Sequence, residues 1–139
     1  MKQEEFQLPR RVTTQLLHLA QISPKKEICG LIGAKNGIAS TCYPVQNIAD
    51  QPETRFHMDA KQQINAISNI RDKKETLFAI YHSHPTAPAI PSTTDKELAA
   101  YPEVLYLIIS LNTKGVLEIR GFRMFDKSFT EISLSMLSD

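Results

Sequence analysis

Two histidines one residue apart, His82 and His84, precede Asp95, with ten residues between His84 and the aspartate. If His82-Ser83-His84 lies on a strand, residues i and i+2 share a face and the two rings stand side by side. Neutral imidazole is a frequent zinc ligand. The intervening run begins Pro85-Thr86-Ala87-Pro88-Ala89-Ile90-Pro91, three prolines in seven residues, stiff yet long enough to return a carboxylate to the same point. Two imidazoles and one carboxylate leave a tetrahedral position open, which distinguishes a catalytic zinc from a structural one. Each part has a plainer reading on its own: Asp95 suits the first turn of a helix, and Ser92 is an ordinary N-cap. Taken together they point to one Zn2+ per chain, held by His82, His84 and Asp95.

Zinc of this kind brings the pKa of water toward ~7, and a further group must accept the proton and pass it to the leaving amine. Glu27, Glu53, Glu75 and Glu97 are the candidates, and spacing alone does not separate them. Glu27 has the most constrained context, between a helix end and an apolar strand containing Gly30 and Gly33. Its alternative is a solvated turn acid after Lys25-Lys26. His18 and His57 read as surface residues. Cys42 reads as a small core residue, and Cys29 as either core or site-adjacent; neither belongs to a CxxC pattern.

The elements that must position these groups follow from periodicity and turn signals. Pro9 opens a helix whose stripe is Val12, Leu16, Leu17 and Ala20, and Pro24 closes it. Cys29–Ala34 is a short apolar strand, its glycines marking a bulge or a close backbone approach. Asn36-Gly37 turns it into a return strand, Ile38–Val45. Residues 46–57 form a polar loop. Asp59 caps a helix to about Lys73 with Ile64, Ile67 and Ile70 on one face. Thr76–Tyr81 is nearly all apolar, which predicts a central strand covered on both sides. A helix over Thr93–Tyr101 carries Asp95 at its third position. Strands over Val104–Leu111, Val116–Phe125 and Phe129–Leu137 complete a mixed α/β chain, with turns at Asn112–Gly115 and Asp126-Lys127.

Composition sets the background. The 139 residues fit one domain, 1–139, with 42% apolar and 22% charged residues and a net charge of +1. That balance argues against a nucleic-acid or membrane-surface partner. No apolar run approaches the ~20 residues that span a bilayer, and the N-terminus lacks a secretory h-region. A cytoplasmic location with reduced thiols is the expectation.

Glu27 with the following Ile-Cys-Gly-Leu-Ile-Gly-Ala, the His-Ser-His-Pro run, seven residues to Ser92, and the Ser-x-x-Asp ending at Asp95 resemble the JAMM (MPN+) zinc metallopeptidase signature. The resemblance runs over nearly the whole chain, including the polar loop with Asn47 and Phe56, and none of the five signature residues departs from the pattern. It implies a curved mixed sheet flanked by helices, with a cytidine-deaminase-like layout. Deaminase chemistry is disfavoured, because the H-x-E and P-C-x-x-C ligands are missing. It further implies His82, His84 and Asp95 as zinc ligands, Glu27 as general base and acid, and Ser92 as the donor to the tetrahedral intermediate.

Members of that family cut after the C-terminal tail of ubiquitin-like proteins. Nine residues separate Asp95 from Leu105, too few for the insertions of the eukaryotic members, so the chain resembles the compact prokaryotic type. The implied substrate is a β-grasp carrier of the sulfur-carrier kind, its diglycine tail lying extended beside a sheet edge. The rival functions are a non-catalytic MPN module that binds a ubiquitin-like partner, and a zinc hydrolase of small amino-acid conjugates.

Overall fold

The computed structural model describes residues 5–99, 103–112, 118–125 and 128–138. Its elements run β1 (Glu5–Pro9), α1 (Arg10–Gln21), β2 (Cys29–Lys35), β3 (Ile38–Val45), α2 (Ala60–Asp72), β4 (Thr76–His84), α3 (Thr93–Leu98), β5 (Leu105–Ser110), β6 (Glu118–Phe125) and β7 (Ser128–Leu137). The seven strands make one mixed sheet in the order β1-β7-β6-β5-β4-β2-β3. β1 runs parallel to β7 and β4 parallel to β5, and the other neighbours are antiparallel. The sheet curls far enough for its two edge strands, β1 and β3, to touch. This is the curved mixed sheet with flanking helices that the sequence implied.

β4 is central, between β2 and β5, as its nearly continuous apolar run predicts. Its alternating side chains feed two cores. Ala79 and Tyr81 join Val12, Leu16 and Ala20 of α1 on one face, while Ile80 joins Ala66 and Ile70 of α2 on the other. Burying apolar area on both sides, at about 25 cal/mol per Å2, makes this strand a firmly held platform. The site's two histidines stand at its C-terminal end.

The β2–β3 hairpin turns on Asn36 and Gly37, both at positive φ (54° and 78°), as a two-residue turn of the primed type requires. The two glycines of β2 both lie where a side chain would be crowded, and the second also marks an irregularity. At Gly30 a Cβ would lie 2.3 Å from the Tyr81 hydroxyl, so the side chain is excluded by packing. At Gly33 the register shifts against both neighbouring strands, a bulge.

Three expectations need correction. A strand, β1, precedes the helix that Pro9 was expected to open; Phe6 and Leu8 are too few residues to display a period of two, and parallel pairing with β7 creates the strand. Ile64 does not share the buried face of α2. It is 65% exposed, while Gln63, Ala66, Ile67 and Ile70 face inward to differing degrees. At 3.6 residues per turn Ile64 lies about 120° around the axis from Ile70. α3 ends at Leu98 rather than Tyr101, with Ala99 already extended (ψ 126°); Pro102, which biases its predecessor away from helix, follows closely. The turns at 112–115 and 126–127 lie wholly or partly outside the described residues. No helix among those described is long and apolar enough to cross a membrane.

Candidate metal centre

Four side chains from three parts of the chain converge where β4 ends. Glu27 comes from the segment leading into β2, His82 and His84 from β4, and Asp95 from the first turn of α3. All four are buried, and one ligand atom from each lies within 4.8 Å of every other. His82 Nε2 and His84 Nε2 are 3.1 Å apart, and Asp95 Oδ2 sits 3.1 Å from the first and 3.0 Å from the second. Ligand atoms ~2.0–2.1 Å from a tetrahedral zinc are separated by about 3.3 Å, so the three already stand close to coordination spacing.

The chemistry of the donor set fits a cation between them. His84 Nδ1 faces the Pro88 carbonyl at 2.8 Å. Donating there fixes the proton on Nδ1 and leaves a lone pair on Nε2 of the neutral ring. Asp95 Oδ2 carries lone pairs too and already accepts the Ser92 N–H at 2.9 Å. Lone pairs at this distance need a proton or a metal ion between them. Without metal, protonation answers the need. Burial pushes the His84 pKa down, but Asp95 and the Pro88 carbonyl more than reverse it and raise it. Burial alone would raise Asp95; the two imidazoles and the Ser92 N–H instead hold it well below the usual carboxylate range. His82, with its larger desolvation, is lowered.

Local structure places each group. Ser92 caps α3 as expected: its Oγ accepts the Asp95 N–H at 3.0 Å, and its own N–H donates to Asp95, a capping box. The oxygen that closes this box is the same Oδ2 that faces both imidazoles, so one turn of helix fixes the carboxylate. Ser83, between the histidines and fully buried, points to the other side of the strand and accepts the Ile28 N–H at 2.8 Å, while its own N–H donates to the Ile28 carbonyl at 3.0 Å. That paired contact fixes Glu27 beside β4. Glu27 is 4% exposed and its Oε1 has no hydrogen-bond partner; burial pushes its pKa up to about 8, with His84 pulling down and Asp95 adding to the rise.

Of the other candidate bases, Glu53 and Glu97 are exposed, and Glu75 is buried elsewhere, among hydroxyls. His18 and His57 are at the surface, as expected. Cys42 is a buried core thiol donating toward the Tyr81 hydroxyl. Cys29 is buried one residue beyond Ile28, its thiol directed to the Val45 carbonyl and outside the four-residue cluster.

Residues 9–124 match the family described as prokaryotic homologs of the JAB domain. The chain belongs to that family. Among curated relatives, this JAB chain is 30% identical over 122 residues to the CysO-cysteine peptidase of Mycobacterium tuberculosis, covering 86% of the chain and 82% of that protein. It is 30% identical over 89 residues to the desampylase of Haloferax volcanii, covering 63% of the chain and 64% of that protein. A protein from Desulfitobacterium hafniense, solved in solution, superposes with a TM-score of 0.86 at 28% identity, covering 96% of this chain and 94% of that one.

Further features around the cluster escaped the sequence reading. The Phe56 ring stacks on His82, centroids 4.5 Å apart and planes 25° from parallel. Only an aromatic in a polar loop hinted at this. The proline run proves to be the source of the His84 acceptor, at Pro88, and is tied down where Ser110 Oγ donates to the Ala87 carbonyl at 2.7 Å. An apolar cavity of about 320 Å3 opens beside His82 and Asp95, walled by Phe56, Met58, Ile80, Ala99 and Tyr106. That volume is at the small end of the ~300–1,000 Å3 range of ligand pockets.

Proposed function

We propose that the protein is a zinc-dependent peptidase that hydrolyses the bond following the C-terminal tail of a ubiquitin-like, β-grasp carrier protein. The observation that carries the reading is the buried cluster itself: three potential ligand atoms about one point, with an uncommitted carboxylate beside them. The relatives named for cleaving CysO-cysteine and for desampylation supply the substrate class.

In this reading His82, His84 and Asp95 hold one Zn2+, and Glu27 and Ser92 act on the substrate. The metal supplies Lewis acidity and a nucleophilic water at neutral pH. Glu27, lacking any partner at Oε1, takes the proton released on attack and returns it to the departing amine. Its burial favours that second task, since a carboxylate that is readily protonated near neutrality is a competent acid. Ser92 Oγ accepts from Asp95, which leaves its own proton free to donate to the oxygen that gains charge. The apolar cavity on the His82–Asp95 side offers room for a substrate side chain.

Incubation of zinc-loaded protein with β-grasp carriers bearing C-terminal extensions, read by intact mass, tests the proposal. Release of the extension after the carrier tail, abolished by a chelator and restored by zinc, is the expected result. Turnover that survives complete metal removal, or no cleavage of any carrier extension while acylated amino acids are hydrolysed, overturns it.

A further inference from the structure

The loop between β3 and α2 does more for the cluster than connect two elements. The Glu27 backbone is held by that loop at both of its polar groups. Its N–H donates to the Pro52 carbonyl at 2.7 Å, and its carbonyl accepts from Asn47 Nδ2 at 2.9 Å. Asn47 uses its whole amide. Nδ2 also donates to the Arg55 carbonyl at 3.1 Å, and Oδ1 accepts the N–H groups of Ala49 and His57, each at 3.0 Å. One donor bond of the side chain therefore ties Glu27 to the loop, while the other, to Arg55, and the two acceptor bonds close the loop upon itself. One residue before His57, Phe56 lies flat on His82.

Glu27 has no side-chain partner at Oε1 to orient it and sits outside any helix or strand, so its placement depends on what holds its backbone. We propose that Asn47 is a positioning residue for Glu27, setting the carboxylate against the metal centre through its donation to the Glu27 carbonyl. The inference rests on the proposed role of Glu27 as proton carrier. A neutral amide is required because the same side chain must donate to two carbonyls and accept from two N–H groups; no other side chain of that size does both.

The two halves can be tested apart in the zinc-loaded protein. Asn47→Asp keeps the acceptor that closes the loop and removes both donations; Asn47→Ser, uncharged and shorter, removes the reach to Glu27 and covers the case in which the new charge disturbs folding. With a β-grasp carrier bearing a C-terminal extension as probe, kcat is expected to fall by about ten- to a hundredfold, the cost of a reacting group displaced by up to ~1 Å. KM and zinc content stay unchanged. Combined with Glu27→Gln, either substitution is expected to add no further loss, because the group it positions is already disabled. Wild-type kcat in a folded Asn47 variant, loss of zinc, or the same fold-loss in the Glu27→Gln background overturns the inference. A fully active Glu27→Gln protein instead removes the reading on which it rests, so the two failures are distinguishable.

Discussion

Glu27 and Glu75 are both buried carboxylates, 4% and 7% exposed, and the protein treats them in opposite ways. Glu75 stands against the bulge at Gly33, where a Cβ would lie 2.6 Å from its Oε1. Its carboxylate receives the hydroxyls of Ser40 at 2.5 Å, Thr41 at 2.6 Å and Tyr43. Burial pushes its pKa up, but the three hydroxyls outweigh burial and hold it below the ordinary value. Glu27 is given backbone anchors and no such donors, so burial wins and the pKa rises to about 8. On the proposed reading, the carboxylate saturated with hydrogen bonds supports structure, and the one fixed in place with open capacity trades protons.

The largest expected effect separates the two by activity. Glu27→Gln should lower kcat by about 10^2–10^4, the usual worth of a general acid–base group, with zinc retained. Glu75→Gln should leave the kcat of the folded protein unchanged. Equal losses in the two variants would erase the distinction. Glu27→Gln should also stabilise the metal-free protein. A carboxylate whose folded pKa is raised contributes stability at low pH that is lost as pH climbs from about 4.5 toward 8, and glutamine has no such loss. Urea melts of the chelated proteins at pH 6 and pH 9 test this, and a variant no more stable at pH 9 contradicts it.

Glu75 sharpens the comparison from the stability side. Glu75→Ala leaves the buried Tyr43 hydroxyl and the half-buried Ser40 and Thr41 hydroxyls without their acceptor and should cost about 1–3 kcal/mol in denaturant melts. Because its folded pKa is depressed, its contribution is complete above about pH 4.5 and declines as pH falls further. The wild-type and Glu75→Ala stabilities should therefore converge in acid. The smallest effect concerns the cavity. Ala99→Phe, which fills the space beside Asp95, should raise KM by roughly tenfold, the scale of an altered apolar pocket, with zinc content unchanged.

Most of this architecture was legible because the signals were local. The central strand announced itself in Thr76–Tyr81, the hairpin in Asn36-Gly37, and the α3 cap in Ser92 and Asp95, each a pattern set by neighbours in the chain. β1 was not, since a five-residue strand is defined by its partner, and β7 lies at the opposite end of the sequence. Likewise the buried face of α2 was misjudged by one position, because equally apolar isoleucines do not say which side meets the sheet.

The candidate site divides along the same line. His82, His84 and Asp95 could be grouped from spacing, since a strand's period and a short stiff loop determine where they go. Local context favoured Glu27 over Glu75 but could not show how differently the two are held. What distinguishes them are contacts at sequence separations of 20 and more: Asn47 to Glu27 on one side, the β3 hydroxyls to Glu75 on the other. Ser83 is an intermediate case. Its place between two histidines was visible, but its grip on Ile28 arises only when β2 pairs with β4.

X-ray absorption at the zinc edge of the stoichiometrically loaded protein, compared with its Glu27→Gln variant, tests the central claim most directly. The account predicts one zinc per chain, bound by two imidazoles and one carboxylate oxygen with the remaining position filled from solvent, and the same spectrum in both proteins. A fourth protein ligand that disappears with Glu27, or no zinc uptake at all, would contradict it.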